Sequence, residues 1–233
     1  MTIVLYDLKG RDGLRYSPYC WRIRYALTHK GLDIEDVGVG FTEKEKIAFS
    51  GQQLVPVIVD RNNGGKVILD SWQIANYLDD TYPNKPLFGS AAARGTARFI
   101  NNWVGTTFFP QVGPMIIADL FQRVRDVDQP YFRASREKRY GVALEKLQEG
   151  REQRLPAFSA SLEPLRMLVK EQDFICGETP GYADYILFGS FQWPGNASDF
   201  ELLAEDDPIY VWRQRMAGLY DGLAQRAKFG PTN

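Results

Sequence analysis

Strand-like sequence ends at Leu69, and everything after Gly89 is patterned as helix or helix break, so neither one uniform sheet nor one uniform bundle can account for this chain. Ile3 to Leu8 is a short β-branched and apolar run that leaves into a loop, Lys9 to Tyr16. Ser17-Pro18 then opens a helix: a serine hydroxyl accepts from the free N–H groups of the first turn, and proline at the first helical position has no N–H to orphan. Cys20, Ile23 and Leu27 recur at helical spacing, and His29, Lys30 and Gly31 supply cationic residues and a stop, which predicts a helix over 18–30. Ile34 to Val39 is a weak strand, and the polar stretch Thr42 to Ser50 has room for a short helix. Val55 to Val59 and Lys66 to Leu69 are predicted strands of a hairpin about an Asn- and Gly-rich turn, Asp60 to Gly65. Asp70-Ser71 caps a helix with Ile74, Ala75, Leu78 and Tyr82 on one face, ended by Pro83.

The order is therefore strand, helix, strand, then strand, strand, helix. Pro83 to Gly89 has the composition of a linker, so the chain divides into residues 1–82, a linker 83–90 and an all-helical part 91–233. In the last part helices are predicted over 91–107, 131–149, 156–170, 182–191 and 208–228. Breaks are expected at Pro110, Pro114, Pro130, Gly150 and Gly177 to Gly181.

Lys and Arg number 28 against 29 Asp and Glu, a formal charge of −1, so no field exists to hold a polyanion and nucleic acid is excluded as a partner. No apolar run is long enough to cross a bilayer, and the opening Met1-Thr2-Ile3-Val4-Leu5-Tyr6-Asp7 meets an acid too early for a signal peptide, so a soluble, cytoplasmic protein away from membranes is expected. Two cysteines, Cys20 and Cys176, are too few for a disulfide framework and are not spaced as a metal site. With His29 the single histidine, no metal centre is expected, and a Ser-His-Asp hydrolase would have to use that residue.

A βαβ–ββα unit with Ser-Pro opening its first helix, Val55-Pro56 opening the hairpin and Asp70-Ser71 closing it, joined to an all-helical part, resembles the cytosolic glutathione S-transferases over essentially the whole chain. More narrowly, Ser17-Pro18-Tyr19, Trp21-Arg22, Tyr25-Ala26-Leu27, His29-Lys30-Gly31, Val55 to Asp60 and Leu69-Asp70-Ser71-Trp72 are similar to the branch holding bacterial lignin β-etherases and related fungal transferases. Asn102-Trp103, Ser135-Arg136-Glu137, Ala183-Asp184-Tyr185 and Glu205 to Pro208 extend that similarity into the helical part. The resemblance implies a thioredoxin-like N-terminal domain and an all-α C-terminal domain. It also implies glutathione as cosubstrate, a hydrophobic aromatic electrophile as second partner, and a homodimer.

A glutathione-using enzyme must stabilise the thiolate, and lowering a thiol pKa from about 8.5 to about 6.5 needs roughly 2.7 kcal/mol. One hydrogen bond to a charged sulfur, about 1.5 to 3 kcal/mol, with a helix N-terminus, about 0.3 to 1, supplies it. By resemblance Ser17 is that donor; its other reading is a plain helix cap, and Tyr6 is the rival hydroxyl. Ser17-Pro18-Tyr19-Cys20 has the spacing of a C-x-x-C motif with serine at the attacking position, which disfavours thiol–disulfide exchange and leaves Cys20 a buried thiol. The resemblance further implies a cis Val55-Pro56 bond that frees the Val55 main chain for the cysteinyl backbone of glutathione, and an Asp70-Ser71 site for its γ-glutamyl end. Leu54 departs from the basic or amide side chain many transferases carry before Val-Pro, so Gln53 becomes the candidate for the glycyl carboxylate.

For the electrophile pocket the candidates are Tyr6, Tyr19, Trp103 and Phe108, with Phe109, Tyr185, Phe188 and Trp193 as further aromatics that pack either there or in the core. Gly181 to Asp184 keeps only the acidic half of a capping box and is assigned to folding. Arg133, Arg136, Lys138 and Arg139 read as a solvated helix face or a subunit contact, and His29 as a cation at a helix C-terminus. The alternative function is a non-catalytic protein of the same fold that binds glutathione or an aromatic ligand.

Overall fold

The structure, a computed structural model, describes residues 2–226. β1 (Thr2–Leu8), α1 (Pro18–His29), β2 (Asp33–Val39), β3 (Val57–Asp60), β4 (Lys66–Leu69) and α2 (Ser71–Thr81) follow in the expected order and make a thioredoxin-like unit. The sheet runs β2-β1-β3-β4. β1 is parallel to β2, which requires the crossover that α1 provides, while β3 is antiparallel to β1 and forms a hairpin with β4. Ile3 and Leu5 enter the main core with α1 and α2. Tyr6 instead packs with Val39, Ile47 and Val57, its ring 5.2 Å from that of Phe49.

Residues 82–90 carry neither helix nor strand. Beyond them lie α3 (Ala91–Trp103), α4 (Phe109–Arg123), α5 (Gln129–Tyr140), α6 (Leu144–Gln148), α7 (Arg151–Ser161), α8 (Glu163–Glu171), α9 (Tyr182–Ala197) and α10 (Pro208–Arg226).

Several helical expectations change. α4 occupies a stretch expected to be broken: it continues directly from the helical turn 104–108, and burial of Val112, Met115, Ile116 and Leu120 outweighs the bonds lost at Pro110 and Pro114. The single helix expected over 131–149 is two, because Gly141 ends α5 in the left-handed conformation (φ 77°), and Pro130 begins α5 rather than breaking it. The helix expected over 156–170 divides at Leu162, with Pro156 inside α7. α9 runs on past Phe191, and α10 is interrupted by non-helical backbone at 219–222; Lys228 lies outside the described residues. Among the described residues no helix is long and apolar enough to cross a membrane.

One apolar core runs from β1 and α1 through α4, α9 and α10. α1 lies along α9, and Gly189 is required there: a Cβ would fall 2.6 Å from the Pro18 carbonyl oxygen and 3.1 Å from the Arg22 nitrogen. Asp184 ties this joint together. Fully buried at the start of α9, it accepts from the N–H groups of Ile175 (2.7 Å), Cys176 (3.2 Å) and Gly181 (3.1 Å) and from Trp212 Nε1–H (3.2 Å) of α10. His29 is not the expected cation. Burial, reinforced by Lys30, pushes its pKa below the ordinary value, and its Nδ1 is 2.6 Å from the Tyr185 hydroxyl.

Candidate functional site

A cavity of about 480 Å³, within the range of small-molecule sites, opens between the N-terminus of α1, the 39–55 segment, and α4, α5 and α9. Ser17, Tyr19, Gln53 and Val55 all line it.

Ser17 is 5% exposed and caps α1, its Oγ accepting from Cys20 N–H at 3.3 Å. That bond uses an oxygen lone pair and leaves the hydroxyl proton free to donate. The carbonyl of Arg15 accepts from Trp21 Nε1–H of α1 and Asn196 Nδ2–H of α9, both at 2.9 Å, which holds the approach to Ser17 against two helices. Cys20 beneath it is fully buried, and desolvation pushes its thiol pKa far up, so it is no nucleophile.

The Val55–Pro56 bond is cis, and the β3 ladder begins at Val57. Val57 faces Leu69 across the hairpin, so the same register carried outward sets Pro56 beside Asp70. Asp70 and Ser71 do not line the cavity; they flank it at this hairpin end. Asp70 has φ 62° and ψ 131°, a conformation that costs a non-glycine residue on the order of 1 to 3 kcal/mol. Its Oδ1 accepts from the Trp72 and Gln73 N–H groups at 2.9 and 3.1 Å, capping α2. Ser71 is buried, and its carbonyl accepts from Tyr182 Oη–H at 2.7 Å.

Of the other aromatic candidates, Phe109 and Trp193 line the cavity, their ring centroids 5.5 Å apart, and Tyr19 lies 5.7 Å from Phe109. Phe108, Trp103, Tyr6, Tyr185 and Phe188 do not. Phe108 is 0% exposed among Phe158 and Phe191, and Trp103 packs against it. The reason is a π-helical turn at 104–108: its wider winding shifts the helix face, so that Phe108 enters the core and Phe109 the cavity.

Several residues in or beside this wall were not assigned to the site from sequence. Lys44 lies in the polar stretch after β2, and its Nζ donates to the Gln53 carbonyl at 2.6 Å. Tyr16, Phe41, Arg136, Arg139 and Tyr140 complete the far side. Arg22, one turn into α1, is 1% exposed; Nη1 donates to Asn101 Oδ1 at 2.7 Å, and its Cζ sits 4.7 Å over the Tyr19 ring. Its Nε and Nη2 have no hydrogen-bond partner among the described residues, and burial lowers its pKa. For Arg136 a usable signal existed: it follows the buried Phe132 by four residues and so shares the apolar stripe of α5.

The cavity wall is fixed to the helical part by Asp128. Its Oδ1 accepts from Thr42 N–H (2.8 Å) and Thr42 Oγ1–H (2.6 Å), its Oδ2 from Arg125 Nε–H (2.7 Å), and Arg125 Nη1 donates to Glu43 at 2.9 Å. Gly40 is needed for this approach, since a Cβ there would overlap Arg125 Nη2 at 1.7 Å. Burial works to raise the Glu43 pKa, but hydrogen bonds from Gly40 N–H, Arg125 and Lys46 overcome it and bring the pKa down to about 2; Asp128 is lowered in the same way. A depressed folded pKa stabilises fully above the unfolded value and is lost as pH falls through the folded one. Thermal melts should therefore show a stability decrease between about pH 4.5 and 2 that is shallower in Glu43→Gln, and equal slopes would remove the clamp from the account of acid lability.

Comparison with known proteins agrees with this geometry. Residues 13–86 match the family model described as Glutathione S-transferase, N-terminal domain, and residues 96–201 the one described as Glutathione S-transferase, C-terminal domain. Mouse glutathione S-transferase omega-1 is 24% identical over 203 residues, 87% of this chain and 74% of that protein. Arabidopsis thaliana glutathione S-transferase Z2 is 40% identical over 74 residues, 30% of this chain and 32% of that one. Among solved structures, glutathione transferase GSTFuA2 of Phanerochaete chrysosporium superposes with a TM-score of 0.75 at 26% identity, covering 100% of both chains. A Ceriporiopsis subvermispora glutathione S-transferase solved in complex with glutathione gives 0.75 at 22% identity, covering 97% of this chain and 94% of that one. With both domains matched and a serine-capped helix facing a cleft between them, the chain belongs to the glutathione S-transferase family.

Proposed function

We propose that the protein is a glutathione transferase in which the Ser17 hydroxyl donates to the glutathione sulfur and holds it as thiolate for attack on a hydrophobic aromatic electrophile. The carrying observation is the Ser17 hydroxyl in the cavity wall at a helix N-terminus, its cap bond leaving the proton available. Tyr6, the rival, packs against Phe49 and outside that wall.

In this reading residues 1–82 hold glutathione and 91–233, after the linker 83–90, form the electrophile side. The Val55 main chain takes the cysteinyl backbone, and Asp70 and Ser71 take the γ-glutamyl end with the buried Arg22 charge nearby. Lys44, with Gln53 beside it, serves the glycyl carboxylate in place of a side chain at Leu54. Tyr19, Phe109 and Trp193 supply the aromatic wall.

The narrower form of the reading is cleavage of lignin-type β-aryl ethers, on the strength of the sequence resemblance. The thiolate forms a C–S bond at the carbon β to an aryl ketone, the C–O bond breaks, and the departing phenoxide takes a proton from water. A homodimeric, cytoplasmic enzyme belongs to the same resemblance.

Glutathione titration followed by thiolate ultraviolet absorbance across pH tests the reading. A bound-thiol pKa about two units below the free value is expected, worth roughly 2.7 kcal/mol. Saturable binding with an unshifted thiol would leave a binding protein instead.

A further inference from the structure

The basic run on α5 does not behave as one solvated face. Arg133 pairs outward with Glu137 at 2.9 Å and Glu145 at 2.7 Å. Arg136 and Arg139, by contrast, line the cavity and form no ion pair among the described residues. Lys44 stands on the same wall, which contains no Asp or Glu. The nearby buried acid, Asp128, has both oxygens engaged by Thr42 and Arg125.

We infer that the electrophile end of this cavity selects aromatic molecules carrying an anionic oxygen group, with Arg136 and Arg139 as the residues that bind that group. The Arg136 guanidinium is braced for this, its Cζ 4.8 Å over the Phe132 ring and 5.6 Å from that of Phe41, so its planar fork is held before any ligand arrives. Burial and the like charge of Arg139 both disfavour the isolated cation, and an anion relieves both. Tyr16 adds an independent sign. It is 1% exposed in the same wall, and its hydroxyl has no hydrogen-bond partner among the described residues. A buried donor left unmade is costly, and a polar ligand beside Arg136 offers the acceptor this wall lacks. The body of the ligand meets Phe109 and Trp193, which favours a flat aromatic over an aliphatic acid.

The inference rests on the proposed electrophile site, and the test separates the two. Binding of anilinonaphthalene sulfonate and of its neutral parent, phenylnaphthylamine, is followed by fluorescence for wild type and for Arg136→Gln/Arg139→Gln, with glutathione affinity measured by calorimetry. The double variant should bind the sulfonate about tenfold or more weakly, the neutral probe within about threefold, and glutathione unchanged. Equal losses for both probes, or unchanged sulfonate binding, overturn the inference. So does a loss confined to glutathione, which would give the two guanidinium groups to its glycyl carboxylate. Sulfonate selectivity in a wild type that fails to bind glutathione would uphold the inference and defeat the transferase reading. Should the double variant melt early, Arg139→Gln alone, at an exposed position, must reproduce part of the sulfonate loss.

Discussion

Ser17→Ala is expected to lower turnover of a glutathione conjugation about a hundredfold while leaving glutathione affinity within about threefold. A hydrogen bond to a charged acceptor is worth about 1.5 to 3 kcal/mol, and the reacting thiolate is the only charged group Ser17 is proposed to serve. The bound-thiol pKa should rise by about one to two units in the same variant. The change also removes the acceptor for Cys20 N–H, so a stability loss of about 1 kcal/mol accompanies it. Thermal melts keep these effects apart, because lost capping lowers the melting temperature without moving a thiol pKa. Unchanged turnover and an unchanged bound-thiol pKa would reduce Ser17 to a helix cap and leave the aromatic-lined cavity as a binding site.

Asp184→Ala should be the most destabilising single substitution proposed, with a loss of about 4 kcal/mol in urea unfolding. The alanine would leave four donors, from Ile175, Cys176, Gly181 and Trp212, unpaired in a buried site that joins the 175–181 loop to α9 and α10. Asp184→Asn keeps an acceptor and should lose distinctly less, although its amide must face at least one N–H group. A loss under about 1 kcal/mol in the alanine variant would mean that water replaces all four bonds, and the joint would then owe its rigidity to packing such as Gly189 against Pro18.

Much of the thioredoxin-like unit was legible because its signals are local. Ser17-Pro18 starts α1, Asp70 caps α2, and the Asn- and Gly-rich turn joins β3 to β4 through residues a few positions apart. The helical part was less legible for the opposite reason. Pro110 and Pro114 read as breaks, yet α4 persists because its apolar face is buried against distant elements, and no window of the chain contains that partner. The aromatic wall failed and succeeded within two adjacent residues. Phe108 and Phe109 are indistinguishable by type, and only the π-helical turn before them decides which one faces the cavity.

What the amino-acid sequence determined by itself is the order of elements in residues 1–82, the helix-capping serine and the family to which the chain belongs, since each is written in neighbouring residues. The tertiary structure alone decided which charges are left unpaired. Arg133 and Arg136 are three residues apart on one helix, but one finds Glu137 and Glu145 while the other is turned inward to Phe41 and the cavity. The Arg133–Glu137 pair is an i, i+4 contact that spacing alone allows, but the inward setting of Arg136 against Phe41 comes from the packing of α5 against the loop after β2, a long-range contact that sequence spacing does not encode.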